Sequence, residues 1–159
     1  MTYAHSQALI ATPIGMVRLS GDGSVLTRIN IESGTAREIA AGDPLLAEAA
    51  AQLRAYFTAG LTDFDVPLAP PASPRGQVLR DAIRSVGYGD TLGYGALARQ
   101  AGSGPRAVGQ ACARNPFPII IPCHRILAAG GQLGAYSAGD GPITKAWLIA
   151  HEQKKGARK

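Results

Sequence analysis

Apolar and polar positions change their period along this chain. Between Gln7 and Ile31 the apolar residues fall in short runs, and Gln7–Ala11, Gly15–Ser20 and Val25–Ile31 are expected as strands. Thr12-Pro13-Ile14-Gly15 and Asp22-Gly23 supply the turns between them. A helical period then takes over. Asp43 is placed to cap a helix whose first residue is Pro44, because an Asx oxygen accepts from the early amides and proline has none to leave unpaired. Leu46, Ala49, Leu53, Tyr56 and Phe57 follow on one face, and Gly60 is a natural stop. That stripe belongs to a core rather than to a ligand site.

Pro67-Leu68-Ala69-Pro70-Pro71-Ala72-Ser73-Pro74 interrupts both periods and is expected as a linker. Beyond it the pattern is helical. A helix is expected over Arg75–Val86, with Leu79, Ala82, Ile83 and Val86 inward, until Gly87-Tyr88-Gly89-Asp90 breaks it. Tyr94–Ala101 forms a short helix with Leu97, Ala98 and Ala101 inward. Gly102-Ser103-Gly104 is a tight turn, and Pro105 opens a second short helix to Arg114. Helix, glycine turn, helix is the outline of a helix-turn-helix. The closing helix, Thr144–Gln153, carries Trp147, Leu148 and Ala150 toward the core. The expected architecture is α+β: a small N-terminal three-stranded antiparallel sheet with a helix, joined to a mainly helical, winged-helix-like C-terminal domain. Its boundaries are 1–66, a linker 67–74, 75–153, and a basic tail 154–159.

Charge sharpens this division. Residues 1–72 carry four basic and seven acidic side chains, whereas 73–159 carry twelve and four. A net of −3 beside a net of +8 points to a polyanionic partner for the second half, and Arg106 near the start of the second short helix strengthens the nucleic-acid reading. Four of the positive charges lie in the last six residues, yet the asymmetry survives their removal. Hydrophobic residues make up 46%, enough for a core in each half. The chain holds no apolar run of about 18 residues and Met1–His5 opens no secretory leader, so no membrane partner is expected. Two cysteines and no signal favour a reducing, cytoplasmic location. A Cys112–Cys123 disulfide is the structural alternative.

One segment carries chemistry. In Asn115-Pro116-Phe117-Pro118-Ile119-Ile120-Ile121-Pro122-Cys123-His124-Arg125, three β-branched residues want a buried, extended backbone, and prolines on both sides stop a strand or helix from continuing. A thiol follows directly, with an imidazole beside it, which makes Cys123 a candidate nucleophile. A free cysteine on its own is more often a small buried hydrophobe. The whole run, however, closely resembles the active-site signature of the O6-alkylguanine-DNA alkyltransferases, carried here as Pro122-Cys123-His124-Arg125 with Asn115-Pro116 upstream.

The resemblance implies single-use DNA repair: an alkyl group leaves O6 of guanine for the cysteine sulfur, and no second nucleophile releases it. A thiolate is polarisable, its thioether product is stable, and it needs a base to take its proton. The family's relay of glutamate, histidine, water and cysteine maps onto Glu152, His124 and Cys123, with Trp147-Leu148-Ile149-Ala150-His151-Glu152 matching its closing helix. Asn115 matches the asparagine that braces the active-site loop. Arg106, seventeen residues before Cys123, matches the arginine that fills the space left by the flipped base. Tyr94 matches the tyrosine that presses on the DNA backbone and helps hold the base. Gly134-Ala135-Tyr136-Ser137 matches the wall of the guanine pocket, with Tyr136 stacking and Ser137 offering hydrogen bonds.

The implied partner is double-stranded DNA containing O6-alkylguanine, with O4-alkylthymine left open, and the implied state is a monomer. No cofactor is implied, and His5, His124, His151, Cys112 and Cys123 show no paired metal-ligand spacing. Arg75-Gly76-Gln77-Val78-Leu79, Val86-Gly87-Tyr88-Gly89 and the loop from Ser137 to Pro142 depart from the family pattern. A damage sensor without chemistry, a transcription regulator and a cysteine hydrolase are the competing classes. Loss of function on replacing Cys123 separates transfer from the first two.

Overall fold

The computed structural model describes residues 6–156, so the expectations for Met1–His5 and for the end of the basic tail, Ala157–Lys159, lie outside the described residues. The chain divides into two compact units between Ala69 and Pro70.

In the first unit β1 (Ser6–Thr12), β2 (Gly15–Gly21) and β3 (Leu26–Glu32) form an antiparallel meander in the order β1-β2-β3. Ile10 faces Val17 across the first pair and Leu19 faces Ile29 across the second, so cross-strand apolar pairs fix the register. The turn between β1 and β2 needs Gly15. Its φ is 114°, and a Cβ there would stand 2.4 Å from the Glu32 carbonyl oxygen.

Helix α1 (Pro44–Thr58) packs on β1 and β2 through Leu46, Ala49, Ala50, Leu53, Tyr56 and Phe57, all buried. Asp43 caps it as its chemistry requires, accepting from the Leu46 amide at 2.9 Å and from the Ser6 hydroxyl. At the other end Gly60 turns left-handed, and the Leu61 amide returns to the Ala55 carbonyl.

Both sheet edges are occupied. Ile39 exchanges two 3.0 Å backbone bonds with Leu9, and Leu26 pairs with the Pro67–Ala69 segment through two bonds of 2.8 Å. The proline-rich stretch is therefore not a free linker throughout. Its first residues extend the sheet, and its last, Pro74, already belongs to the next helix, because the Ser73 hydroxyl caps that helix at Gly76.

The second unit contains α2 (Pro74–Arg84), β4 (Leu92–Gly93), α3 (Tyr94–Ala101), α4 (Pro105–Ala113), β5 (Ile126–Leu127) and α5 (Pro142–Gly156). Two short 3-10 turns lie at Cys123–Arg125 and Ala129–Gly131. Helices α3 and α4 are the expected helix-turn-helix. Gly102 adopts φ 64° and lets the Ser103 amide close back on the Ala98 carbonyl at 2.8 Å, which stops α3 within one residue. Strands β4 and β5 pair in parallel and tie the entry of α3 to the segment after Arg125.

Two expectations need correction. Ile119, Ile120 and Ile121 are buried, but not extended: the segment folds through turns, and Ile119 sits at φ 78°. That conformation is costly for a β-branched residue and persists only where its surroundings enforce it. Helix α5 starts two residues earlier and ends three later than Thr144–Gln153, and its inward face is not the one that hydrophobicity suggests. Thr144, Lys145, Leu148 and Glu152 are buried, while Ala150 is exposed and Trp147 is only half-buried. No helix among the described residues is long and apolar enough to cross a membrane.

Candidate active site

The loop from Asn115 to Pro122 positions the site. Asn115 acts as its brace: its Nδ2 donates to the Ile121 carbonyl at 2.8 Å and its Oδ1 accepts from the Phe117 amide at 2.9 Å. A further backbone bond, from the Ile121 amide to the Phe117 carbonyl, closes the turn. One side chain thus satisfies polar groups at both ends of an otherwise apolar loop and holds Ile119 in its strained state. The Asn115 side chain also lowers the Cys123 pKa, which favours its thiolate. An Asn115→Ala protein is expected to lose about 1–3 kcal/mol in urea unfolding, because two buried backbone groups lose their partners.

Cys123, His124 and Arg125 form a single 3-10 turn, and all three are buried. His124 Nε2 lies 2.7 Å from Glu152 Oε2. Arg125 makes a two-pronged contact with the same carboxylate, Nε to Oε1 at 2.8 Å and Nη2 to Oε2 at 3.1 Å, and its Nη1 donates to the Val86 carbonyl at 2.6 Å. Glu152 therefore holds two partners from one turn. Burial alone would raise its pKa, but the bonds from His124 and Arg125 outweigh this and hold it at about 2. An ionised Glu152 only accepts, so the His124 proton sits on Nε2 and Nδ1 keeps a free lone pair. Nδ1 is buried with no protein partner among the described residues. Burial lowers the His124 pKa, with Glu152 opposing, so the ring rests neutral and can accept a proton.

The Cys123 sulfur faces a cavity of about 140 Å³, lined by Tyr94, Gly109, Cys112, Ala113, Cys123, Ala135, Tyr136 and Ser137. Three residues singled out from the sequence, Tyr94, Tyr136 and Ser137, thus meet the thiol. Both cysteines are free thiols, so the alternative disulfide is not formed in this structure. The Cys123 thiol is pushed up by the neighbouring Cys112 and by burial, against the pull of Asn115 and Lys145. Burial likewise raises Tyr94 to about 12 and Tyr136 further still, so both hydroxyls stay protonated.

Arg106 does not line this cavity. It is exposed at the start of α4, on the rim of a larger groove of about 870 Å³ that it shares with Tyr94, Arg99 and Gly130. Tyr94 borders both spaces.

Two participants escape the sequence reading. Arg125 is visible there only as part of the signature. Lys145 is fully buried, and its Nζ donates to the Ile126 carbonyl at 2.7 Å and the Ala135 carbonyl at 3.3 Å, above the Tyr94 ring at 5.8 Å. It joins the strand after the signature to the cavity wall. Burial lowers its pKa, while the two thiols pull it back up. A lysine on an amphipathic helix looks like a solvent residue, and only its position on the Leu148–Glu152 face could have flagged it.

A helix-turn-helix beside a buried thiol, with a glutamate-backed histidine next to it, defines a nucleic-acid-binding protein with a covalent acceptor. Comparison with known proteins agrees. Residues 75–154 match the family described as 6-O-methylguanine DNA methyltransferase, DNA binding domain, and residues 6–70 match its ribonuclease-like domain; the chain belongs to this family. A methylated-DNA–protein-cysteine methyltransferase of Methanosarcina acetivorans is 37% identical over 83% of this chain and 89% of its own. One from Mycobacterium leprae is 40% identical over 80% and 81%. The crystal structure of the Mycobacterium tuberculosis O6-methylguanine methyltransferase superposes with a TM-score of 0.81 at 35% identity, covering 95% of this chain and 94% of that one. A Mycobacterium tuberculosis structure in complex with DNA gives 0.79 at 39% identity, over 92% of each chain.

Proposed function

We propose that this protein repairs DNA by moving the alkyl group of an O6-alkylguanine to Cys123, once per molecule. The observation that carries the reading is Cys123 on the wall of a cavity bordered by the helix-turn-helix, with His124 next to it in the same turn and hydrogen-bonded to Glu152.

The residues divide the work as follows. The exposed helix α4 and the groove around Arg106 and Arg99 take the duplex, where basic side chains meet phosphates and Arg106 occupies the space vacated by the extruded base. The guanine enters between Tyr94, Tyr136 and Ser137, with aromatic faces to stack on and a hydroxyl to hydrogen-bond. His124 Nδ1 takes the thiol proton, directly or across one water, and Glu152 stabilises the resulting imidazolium. The sulfur attacks the alkyl carbon, the C–S bond forms, and the C–O bond breaks with its electrons on guanine O6. The guanine anion takes back one proton, matching the one His124 removed from the thiol and returned through water, and the restored guanine, still part of its strand, leaves the cavity. Lys145, near both thiols, favours negative charge on sulfur at the start of the step. Residues 75–153 form the binding and transfer domain in this reading and residues 1–66 a supporting domain. The protein acts as a cytoplasmic monomer.

The test is a duplex carrying one O6-methylguanine mixed with excess protein, followed by mass measurement of the tryptic peptide 115–125, which holds Cys123. One added methylene on that peptide, reaching one per protein and then stopping, is expected. Repeated turnover, or tight binding without any mass change, overturns the reading.

A further inference from the structure

The transfer reaction needs one thiol, and the cavity holds two. Cys112 comes from α4 and Cys123 from the 3-10 turn eleven positions later. Both side chains line the same cavity of about 140 Å³, both are free, and each thiol lies near enough to shift the proton affinity of the other. Both are buried, yet both border the cavity. Each has one side against space that must admit a purine, which also admits a molecule as small as a peroxide. The hydrophobic alternative for Cys112, as a mere packing residue on a recognition helix, does not require it to touch the acceptor sulfur.

We propose that Cys112 and Cys123 are a redox pair: hydrogen peroxide closes them into a reversible disulfide that takes the acceptor out of service. In the first step the Cys112 thiolate attacks one peroxide oxygen. An S–O bond forms, the O–O bond breaks, and hydroxide leaves and is protonated to water, giving a Cys112 sulfenic acid. Cys123 then passes its proton to His124 and attacks the Cys112 sulfur. The S–S bond forms, the S–O bond breaks, and the departing hydroxide takes the proton as a second water. The two thiols lose two electrons and two protons in all, and the peroxide is reduced to two waters. The neighbouring Cys123 and the nearby Lys145 charge both favour the thiolate on Cys112, consistent with that order. The disulfide removes the nucleophile but shields it from irreversible over-oxidation, and a dithiol restores it.

The loss of activity rests on Cys123 being the acceptor, whereas the bond itself does not, so the experiment scores them separately. Full-length protein is titrated with hydrogen peroxide, its remaining thiols are blocked with a maleimide, and it is digested with trypsin without reductant. Cleavage after Arg106, Arg114 and Arg125 puts Cys112 in peptide 107–114 and Cys123 in peptide 115–125. The two peptides are expected to appear joined, short of two hydrogens, with methyl acceptance lost in the joined fraction and regained with dithiothreitol. A Cys112→Ser protein is expected to lose the dithiothreitol-recoverable fraction and to accumulate oxygen on peptide 115–125. Maleimide-blocked Cys112 beside an over-oxidised or intermolecularly linked Cys123 in the unaltered protein would overturn the pair, whatever the folding of the variant. A joined peptide with undiminished methyl acceptance would leave the pair standing and overturn Cys123 as acceptor.

Discussion

A Cys123→Ser protein binds methylated duplex about as tightly as the unaltered chain and takes up no methyl group. The substitution removes one polarisable atom and keeps the turn, since the backbone bonds from Cys123 N to Ile121 O and from Arg125 N to Pro122 O do not involve the side chain. A hydroxyl in this cavity has no means of ionising. Its proton affinity far exceeds that of a neutral imidazole, and burial disfavours the anion further. The rate of methyl uptake is therefore expected to fall by at least about 10⁴-fold, beyond the time a single-turnover mass assay can follow. Fluorescence anisotropy on the same duplex should change by less than about threefold, because phosphate contacts, not the thiol, dominate affinity. The variant also separates transfer from sensing or regulation, which would survive it. Methyl uptake persisting on peptide 107–114 would show that Cys112 accepts the group instead.

Glu152→Gln is expected to fail in two ways at once. Its carboxylate is the shared partner of His124 and Arg125, and all three side chains are buried. The substitution keeps the shape but leaves a buried guanidinium facing a neutral amide, which costs about 3–5 kcal/mol in chemical unfolding. The pH dependence gives the sign. The folded carboxyl titrates at about 2 against an ordinary value of 4.5. A depressed carboxylate contributes stability that is fully present above the unfolded value and lost as pH falls through the folded one. The stability gap between the Glu152→Gln protein and the unaltered chain should therefore be constant above about pH 5 and narrow from there toward pH 2. Transfer should slow by about 10²-fold at neutral pH, because the His124 tautomer is no longer fixed and its cation is no longer compensated. A gap that does not vary between pH 5 and pH 2 would mean the ion triad is not what holds α5 to the turn.

Local rules reveal a large part of this molecule and stop at identifiable places. The meander follows from apolar runs and turn residues, α1 from an Asx cap, a stripe and a glycine stop, and the helix-turn-helix from Gly102-Ser103-Gly104 and Pro105. Each of these depends on residues within a few positions of one another. What escapes is set by distant closure. Ile119 is β-branched and favours an extended backbone, yet Asn115 reaches across six residues to impose a left-handed one. Lys145 and Glu152 stand on the inward face of α5 because carbonyls of Ile126 and Ala135, and side chains of His124 and Arg125, come to meet them. Hydropathy assigns charged residues to water, so it turns the helix toward Ala150 instead. The sequence names Cys112 and Cys123 as a possible disulfide, but that both line one cavity as free thiols emerges only from the fold. The roles given to Arg106, Tyr94, Tyr136 and Ser137 enter through family resemblance, since a tyrosine in a helix start or an arginine on a helix rim carries no local mark of a pocket or groove.

The 3-10 turn at Cys123–Arg125 has a consequence for how such a site can change over time. With three residues per turn, successive side chains leave the axis about 120° apart. Three neighbours in sequence therefore take three different directions: sulfur to the cavity, imidazole to one oxygen of Glu152, and guanidinium across both Glu152 oxygens to the Val86 carbonyl just beyond α2. Adjacency here is a device for divergence, like the legs of a tripod. A residue inserted or deleted within the tripeptide would not loosen one contact; it would rotate every later side chain into its neighbour's post. Substitution can explore this segment one leg at a time, but length cannot vary at all, so homologous sites should drift in chemistry around a tripeptide of invariant count.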